Sequence, residues 1–370
     1  MKIRKSVVSF LLLLSLLAAL GIGCFAESTK VFFEGTQLES GLTVENGKEY
    51  VRLSETAQAE GISVKHESGS DVFSFDWRLS SVDIDAAAST ITYEKDTSPL
   101  PCIKDSERDD LLVPVYEFCD ALDIGTYNDE EFGTLYCTAA SGNWELPSGY
   151  DVAVMMYHAT GSSGEGDNLV MPPEHLREQF EYLNNNGYTT IWFEDLWNVA
   201  NISKPVILVF DDGWSNNYRH LLPLLEEYKV KATIAVVKKF TDEGSHIHLT
   251  SDEIKEMVDS GYVSIQSHTV THTELAWLNK EQQAYEMDES KRFITRLVGK
   301  EPCALIYPTG SQNGDTLDLL PSYYRFGVKM LGKAYNTSDD PRLIYRFFPE
   351  NYTILQVYQQ WLEGVFGRPE

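Results

Sequence analysis

Basic residues and cysteines are both scarce in this 370-residue sequence. It has 30 Lys and Arg against 56 Asp and Glu, so the formal net charge is −26. An acidic surface repels phosphate groups, which argues against nucleic acid or anionic lipid as a partner. The five cysteines include no Cys-x-x-Cys pair, which argues against a cysteine-ligated zinc, and their spacing indicates no obvious disulfide pairing. A glycine-rich phosphate loop and a serine nucleophile elbow are absent as well.

Long apolar segments are missing apart from one near the N-terminus. Residues 10–20 are apolar, too short to span a bilayer, and preceded by three cationic residues, which is the arrangement of a secretion signal. Small residues before the expected site predict cleavage after Ala26, so that residues 1–26 are a signal peptide. The alternative is a lipoprotein anchored through Cys24, although Gly21 stands where such signals usually have Leu. We therefore expect a secreted or cell-surface protein without a transmembrane segment.

The region 27–140 contains one pattern twice. The copies begin at Tyr50 and Leu111, and each predicts a strand, an amphipathic helix, a glycine stop, a strand, an acidic turn and another strand. This pattern resembles the small N-terminal domain named after copper amine oxidase, although no histidine cluster for a metal is present. The resemblance implies a small α+β module.

We expect this module to act as a spacer, or to contact the cell wall or another surface protein. The alternative is a sugar-binding surface built on three aromatic residues, Trp77, Tyr93 and Tyr116. Gly, Ser and Pro in residues 141–149 predict a linker, followed by a second domain over residues 150–370.

Predicted strands and helices alternate after residue 150, which indicates an α/β fold with a parallel barrel. The strand PVILVF ends in Asp211 and Asp212, and the strand YVSIQS is followed by His268 and His272. Two imidazoles and one carboxylate form a catalytic metal site that leaves positions open for water and substrate. The alternative is a solvated Asp-Gly turn and surface histidines. The occurrence of both motifs directly after buried strands favours the metal site.

The motifs FDDG, SHTVTH and YPTG, in this order, resemble those of the polysaccharide deacetylases, carbohydrate esterase family 4. The resemblance implies a distorted (β/α) barrel of seven or eight strands. It also implies that Asp211 is the catalytic base and that a backbone N–H near Thr309 stabilises the oxyanion. The implied metal ligands are Asp212, His268 and His272. The expected metal is zinc, with cobalt, nickel or manganese as alternatives, and the residues expected to contact substrate are Tyr307, Pro308 and Trp214.

No histidine follows His272, although most of this family takes its general acid from a C-terminal histidine motif. The sequence VMMYH, ending in His158, resembles the circularly permuted branch that acts on poly-N-acetylglucosamine, and the resemblance implies that His158 replaces the missing acid. The alternative is a core or capping histidine.

These features predict a secreted, metal-dependent deacetylase of a polysaccharide containing N-acetylglucosamine, such as a cell-surface polymer, peptidoglycan or a chitin-like chain. Two alternatives remain open: an O-acetyl polysaccharide esterase that uses the same site, and a catalytically inactive sugar-binding surface protein.

Overall fold

The computed structural model describes residues 29–67, 70–139, 142, 144–162, 168–244 and 246–367. The predicted signal peptide and Cys24 lie outside these residues. No helix in the described ranges combines the length and apolarity needed to cross a membrane. The four cysteines of the described part, Cys102, Cys119, Cys137 and Cys303, are free thiols.

The N-terminal region consists of three small sheets and two short helices. Its strands are β1 Lys30–Phe33, β2 Thr36–Gln37, β3 Thr43–Glu45, β4 Lys48–Arg52, β5 Lys65–His66, β6 Val72–Trp77, β7 Ser80–Asp85, β8 Thr90–Tyr93, β9 Asp96–Pro99, β10 Ile103–Asp105, β11 Asp110–Pro114, β12 Gly125–Asp129 and β13 Thr134–Thr138. Its helices are α1 Leu53–Ala59 and α2 Val115–Ala121. The sheets have the strand orders β12-β13-β1-β2, β10-β11-β4-β3 and β5-β6-β7-β8-β9.

The two sequence copies have the same order of elements in the structure, with β4-α1-β5-β6 in the first and β11-α2-β12-β13 in the second. The strands that begin the copies, β4 and β11, pair with each other in antiparallel fashion. Apolar residues of both copies share one core, in which Leu53 and Val115 each begin a helix. Trp77 is buried in this core, so its ring is not part of a surface for sugar binding.

The second region is the predicted barrel with an outer layer of helices. Its strands are β14 Asp151–Tyr157, β15 Ala159–Thr160, β16 Val170–Met171, β17 Thr189–Thr190, β18 Pro205–Phe210, β19 Ala232–Val236, β20 Val263–Ser267, β21 Ala304–Ile306, β22 Phe326–Leu331, β23 Tyr335–Asn336 and β24 Ile344–Arg346. Its helices are α3 Pro173–Asn185, α4 Leu222–Tyr228, α5 Lys238–Asp242, α6 Ser251–Asp259, α7 Lys280–Val298, α8 Gly314–Leu319 and α9 Leu355–Phe366.

The main sheet has the strand order β23-β14-β18-β19-β20-β21-β22-β24, with β17 beside β18. It closes where Phe347, just after β24, forms a parallel bridge with Met155 of β14. The Phe347 amide donates to the Val154 carbonyl at 2.8 Å, and its carbonyl accepts from Met156 at 2.7 Å. The result is a nearly closed barrel, as predicted, in which the parallel strands end at one mouth.

Each central strand is buried on both faces, which explains its continuous apolar sequence. In β18, Leu208 and Phe210 face the core beneath the outer helices, whereas Ile207 and Val209 face the barrel interior. This alternation follows from the two-residue period of a strand. It leaves Asp211, the next residue, at the point where the strand reaches the mouth.

The N-terminal region contacts the opposite end of the barrel, where the strands begin. Arg296, near the end of α7, donates to Asp129 at 2.5 and 3.2 Å, and Lys300 lies 2.6 Å from Glu34. Gly299 has a φ of 72°, and a Cβ atom there would lie 2.8 Å from the Gly35 carbonyl oxygen. Glycine is therefore required both for the turn and for this close approach. The described contacts of this region therefore lie at the end of the barrel opposite the mouth.

Two local predictions differ from the structure. The alternation of strands and helices after residue 150 predicts a strand at TTIWF, residues 189–193, but this segment forms only the short strand β17. The reason is that the Asp195 carboxylate accepts from the Trp192 amide at 2.9 Å and starts a 3₁₀ helix at Phe193–Asn201. The predicted linker 141–149 contains Trp144, which is buried against Phe326. This part of the segment therefore contributes to the barrel core.

Candidate metal and catalytic site

Asp212, His268 and His272 come together at the barrel mouth, as the motif spacing predicts. Asp212 Oδ1 lies 3.4 Å from His268 Nε2 and 3.3 Å from His272 Nε2, and the three candidate ligand atoms lie within 4.8 Å of one another. A tetrahedral zinc site with bonds of about 2.1 Å places its ligand atoms about 3.4 Å apart. The spacing of the donor atoms therefore fits a zinc-sized cation.

The hydrogen bonds around His268 and Asp212 also favour the binding of a metal ion. His268 Nδ1 lies 2.7 Å from the Ile306 carbonyl oxygen, so it carries the proton and leaves the Nε2 lone pair facing the site. Asp212 Oδ1 is buried and has no hydrogen-bond partner among the described residues. Burial raises the pKa of Asp212, but the two imidazoles outweigh it and hold that pKa below its usual value. The carboxylate is therefore ionised, as a metal ligand must be.

The backbone around the site adopts an uncommon conformation. Asp212, Thr269, His272 and Thr309 have φ values of 71°, 71°, 61° and 55°, in the left-handed region that non-glycine residues rarely adopt. Each such residue costs on the order of 1–3 kcal/mol, and such strain concentrates at functional sites. All four lie on loops that follow barrel strands. Four of the thirteen non-glycine residues with positive φ in the described part of the chain therefore lie where the predicted catalytic groups meet.

A buried carboxylate on α7 holds the loop between the two histidines. Glu286 accepts from the Val270 amide at 2.8 Å, from the Thr271 amide at 3.0 Å and from the Thr271 hydroxyl at 2.8 Å. These hydrogen bonds fix the turn that carries the second histidine. Glu286 therefore positions the site without contacting its centre.

Asp211 is paired with an arginine that sequence reasoning did not assign. Arg346, at the end of β24, donates to the two Asp211 oxygens at 2.8 and 2.9 Å, and its Nε donates to the Lys329 carbonyl at 2.8 Å. The Arg346 and Asp211 side chains are 1% and 4% exposed. Burial raises the pKa of Asp211, but Arg346 and nearby imidazoles outweigh it and lower that pKa below its usual value. The carboxylate is therefore ionised at neutral pH.

His158 directly follows β14, beside β18, and so lies at the same mouth. Its ring contacts the edge of Phe348, with the centroids 5.9 Å apart, and Asn217 donates to its backbone carbonyl at 2.8 Å. Burial lowers the pKa of His158, while the charges of Asp211 and Asp212 oppose that effect. His158 Nδ1 is buried and has no partner among the described residues.

The residues of the YPTG motif differ in how far they are exposed to solvent. Thr309 is exposed directly after β21, where that strand reaches the mouth. Tyr307 and Pro308 are buried, and the Tyr307 hydroxyl donates to the Arg342 carbonyl at 3.0 Å. A side chain buried in this way cannot contact a polymer in the mouth. The substrate contacts predicted for Tyr307 and Pro308 are therefore at odds with the structure.

Trp214 contacts a proposed ligand. Its indole N–H donates to Asp212 Oδ2 at 3.1 Å, which leaves Oδ1 directed at the two imidazoles. The Trp214 ring also contacts His248, which stacks on Phe240 with centroids 4.4 Å apart. Phe240 in turn contacts the His272 ring at 6.1 Å. Trp214 therefore helps to orient the metal site, whereas the sequence predicted a substrate contact.

Sequence reasoning missed three residues that support the site: Arg346, Glu286 and His248. A weak signal existed for Arg346, because it is the single charge in the aromatic segment IYRFF. Glu286 and His248 lie in ordinary helical and loop sequence, where nothing marks a role in the site. Their contacts depend on segments distant in the chain.

Comparison with known proteins agrees with this geometry. The family model described as polysaccharide deacetylase matches residues 198–324. The chain carries a polysaccharide deacetylase domain. The matched segment includes Asp211, both histidines of the SHTVTH motif and Thr309, but not His158 or Arg346.

Two named relatives share this deacetylase domain. YxkH of Bacillus subtilis (strain 168), named for polysaccharide deacetylation, is 34% identical over 181 residues, which cover 47% of this chain and 63% of that protein. The chain thus spans less than two thirds of the length of YxkH. The poly-beta-1,6-N-acetyl-D-glucosamine N-deacetylase of Staphylococcus aureus (strain MRSA252) is 24% identical over 216 residues, which cover 54% of this chain and 74% of the relative.

Among solved structures, the Streptococcus pyogenes deacetylase PplD in complex with acetate superposes with a TM-score of 0.56 and 26% identity. The match covers 58% of this chain and all of that chain.

Proposed function

We propose that this protein is a secreted, zinc-dependent enzyme that removes N-acetyl groups from a polysaccharide containing N-acetylglucosamine. The observation that carries the proposal is the set of Asp212, His268 and His272, whose donor atoms have the spacing of a metal site, beside the ionised pair of Asp211 and Arg346. The name of the Staphylococcus aureus relative supports the choice of polymer. Acetate bound to the Streptococcus pyogenes deacetylase supports the choice of product.

The proposed reaction assigns one task to each group of the chain. Asp211, kept ionised by Arg346, accepts a proton from the water that attacks the acetyl carbon. The backbone N–H near Thr309 donates to the carbonyl oxygen as that oxygen gains charge. His158 protonates the sugar nitrogen while the C–N bond breaks, which releases acetate and a free amine. Asp212, His268 and His272 would hold the cation, which supplies Lewis acidity and lowers the pKa of water when bound.

The assignment of the proton donor rests on position. His158 lies near enough to Asp211 and Asp212 for their charges to affect its pKa. Because burial lowers that pKa, we expect the fraction of protonated His158 to fall as the pH rises through a value below the usual one of about 6.5. Activity that depends on this proton should therefore decline as the pH rises.

Acetate release from a panel of polymers tests the proposal. The zinc-loaded full-length protein is incubated with poly-β-1,6-N-acetylglucosamine, chitin oligomers, peptidoglycan and an O-acetylated polysaccharide, and both acetate and new amino groups are measured. We expect equal amounts of acetate and amine. Asp212→Asn should abolish both, whereas Asp195→Asn, at the far end of the barrel, should not. Release from the O-acetylated polymer alone would identify an esterase, and no release from any polymer would identify a binding protein.

Export is the remaining part of the proposal, and it rests on the sequence of residues 1–26. We expect the mature chain to begin at Glu27 and to be recovered outside the cytoplasm. Mass spectrometry of the mature N-terminus tests this expectation, since a lipid-modified Cys24 would instead indicate an anchored lipoprotein. We further propose that the N-terminal module supports the barrel from the end opposite the mouth and contacts the cell wall or another surface protein.

A further inference from the structure

The most exposed large apolar side chain in the described part of the chain is Trp277, at 82% exposure. It ends a short 3₁₀ helix, Leu275–Trp277, that begins three residues after His272. The ring therefore lies on the rim of the catalytic mouth. Exposing an indole to water forgoes the free energy that its burial would contribute, so this position calls for an explanation.

The Trp277 ring is held in place although it is exposed. Its indole N–H donates to Glu274 at 2.7 Å. The Ala276 amide donates to the Ser311 hydroxyl at 3.4 Å, and Asn313 donates to the Ala276 carbonyl at 3.2 Å. The segment is thus hydrogen-bonded to the loop that follows Thr309. An aromatic surface fixed in this way loses little conformational entropy when it binds a ligand.

A second exposed aromatic residue has a similar arrangement on another part of the rim. Tyr352 is 67% exposed on the loop after β24, and its hydroxyl donates to Glu350. Glu350 also accepts from Asn168 at 2.6 Å. Phe348, in the same loop, contacts the His158 ring. Tyr352 therefore lies on the side of the mouth that carries His158, the proposed proton donor.

The strand order separates the two aromatic residues. Trp277 belongs to the loop after β20 and Tyr352 to the loop after β24, with β21 and β22 between them in the barrel. The backbone at Thr309, after β21, lies between them in this order. A ligand that contacts both rings along this side of the mouth therefore passes the backbone at Thr309.

We propose that Trp277 and Tyr352 are two binding platforms for sugar rings on either side of the acetylated unit that reacts. This inference rests on the proposed function and makes the substrate a polymer of several units rather than a single sugar. Aromatic rings present a broad apolar face that matches the C–H face of a pyranose ring. Glu274 and Glu350, beside the two rings, can accept hydroxyl hydrogens and would repel an anionic glycan. The platforms therefore suit a neutral or cationic polymer.

Chain-length dependence of the zinc-loaded full-length enzyme tests the proposal. We measure kcat/KM for acetate release from N-acetylglucosamine oligomers of two to six units. Trp277→Ala and Tyr352→Ala should each lower kcat/KM for the hexamer by about tenfold, the loss of one good aromatic contact, and by much less for the dimer. Phe132→Ala, at an exposed aromatic residue of the N-terminal region (59% exposed), is the matched control and should show no dependence on length.

The kinetic and binding results that would overturn the proposed platforms differ from those that would overturn the proposed function. Equal losses on dimer and hexamer would overturn the proposal, because they would indicate distortion of the metal loop. Unchanged hexamer kinetics would also overturn it, and reduced sedimentation of Trp277→Ala with phosphatidylcholine vesicles would then identify a lipid surface as the occupant. If the wild-type enzyme releases no acetate from any oligomer, the proposed function fails. Calorimetry of hexamer binding then tests the platforms separately. Weaker binding by Trp277→Ala than by the wild type supports them, and equal binding overturns them.

Discussion

Replacing Arg346 by methionine tests how this fold produces an ionised base inside a barrel. The change removes a side chain that is 1% exposed and leaves the Asp211 carboxylate, 4% exposed, without its cation. Removing one partner of a buried ion pair costs about 3–5 kcal/mol, because the remaining charge stays desolvated. Without Arg346, the strongest opposition to the effect of burial is gone, so the pKa of Asp211 should rise. Both the stability and the protonation state of the proposed base should therefore change.

Urea unfolding and the pH profile of kcat/KM measure these two effects. We expect Arg346→Met to lower the free energy of unfolding by about 3–5 kcal/mol at neutral pH. In the wild type the folded pKa of Asp211 is lowered, so the stability from this pair is present above the unfolded pKa of about 3.9 and is lost as the pH falls through the folded pKa. The difference between the two proteins should therefore narrow in acid. The acid limb of kcat/KM should move to higher pH in Arg346→Met.

Two further variants separate structure from chemistry. Arg346→Met combined with Asp211→Asn removes the unpaired charge and should regain most of the stability while staying inactive. Arg342→Met breaks the partly exposed pair with Asp340, 37% and 33% exposed, and should cost only about 0–1 kcal/mol. If Arg346→Met keeps wild-type stability and an unmoved acid limb, the pair does not hold Asp211 ionised and the reasoning is refuted.

Three other changes probe the rest of the molecule. His268→Ala should lose bound zinc, measured by elemental analysis, together with activity, while the circular dichroism spectrum persists; retained zinc would exclude His268 as a ligand. His158→Ala should lower kcat on an N-acetyl substrate by about 10²–10⁴ with zinc retained, and should affect an activated acetate ester much less; equal losses on both would indicate a structural role. Trp144→Ala should lower the free energy of unfolding by about 3–5 kcal/mol, measured by urea unfolding, because its buried ring packs on Phe326; an unchanged value would show that this segment is only a linker.

The features of the fold that could be predicted from the sequence are those that depend on residues close together in the chain. The continuous apolar run of β18 can only be buried on both faces, which requires helices outside and a barrel interior inside. The parallel strands end at one mouth, so Asp212, His268 and His272 had to approach one another once the two motifs were placed after strands. Element boundaries were less predictable where a single side chain decides them, as Asp195 does at the start of the 3₁₀ helix.

The sequence by itself determined the parallel barrel and the candidate ligand set, because strand periodicity and strand ends are local properties. Only the tertiary structure decided which distant groups support that set. Arg346 reaches Asp211 across 135 positions because β24 closes the barrel beside β14. Trp144 lies in a segment of linker composition but is buried against Phe326, the first residue of β22. Tyr307 adjoins the exposed Thr309 but is buried in an apolar cluster that includes Leu320, where its hydroxyl donates to the Arg342 carbonyl. Such contacts depend on how separate strands and loops meet in three dimensions, which no local pattern encodes.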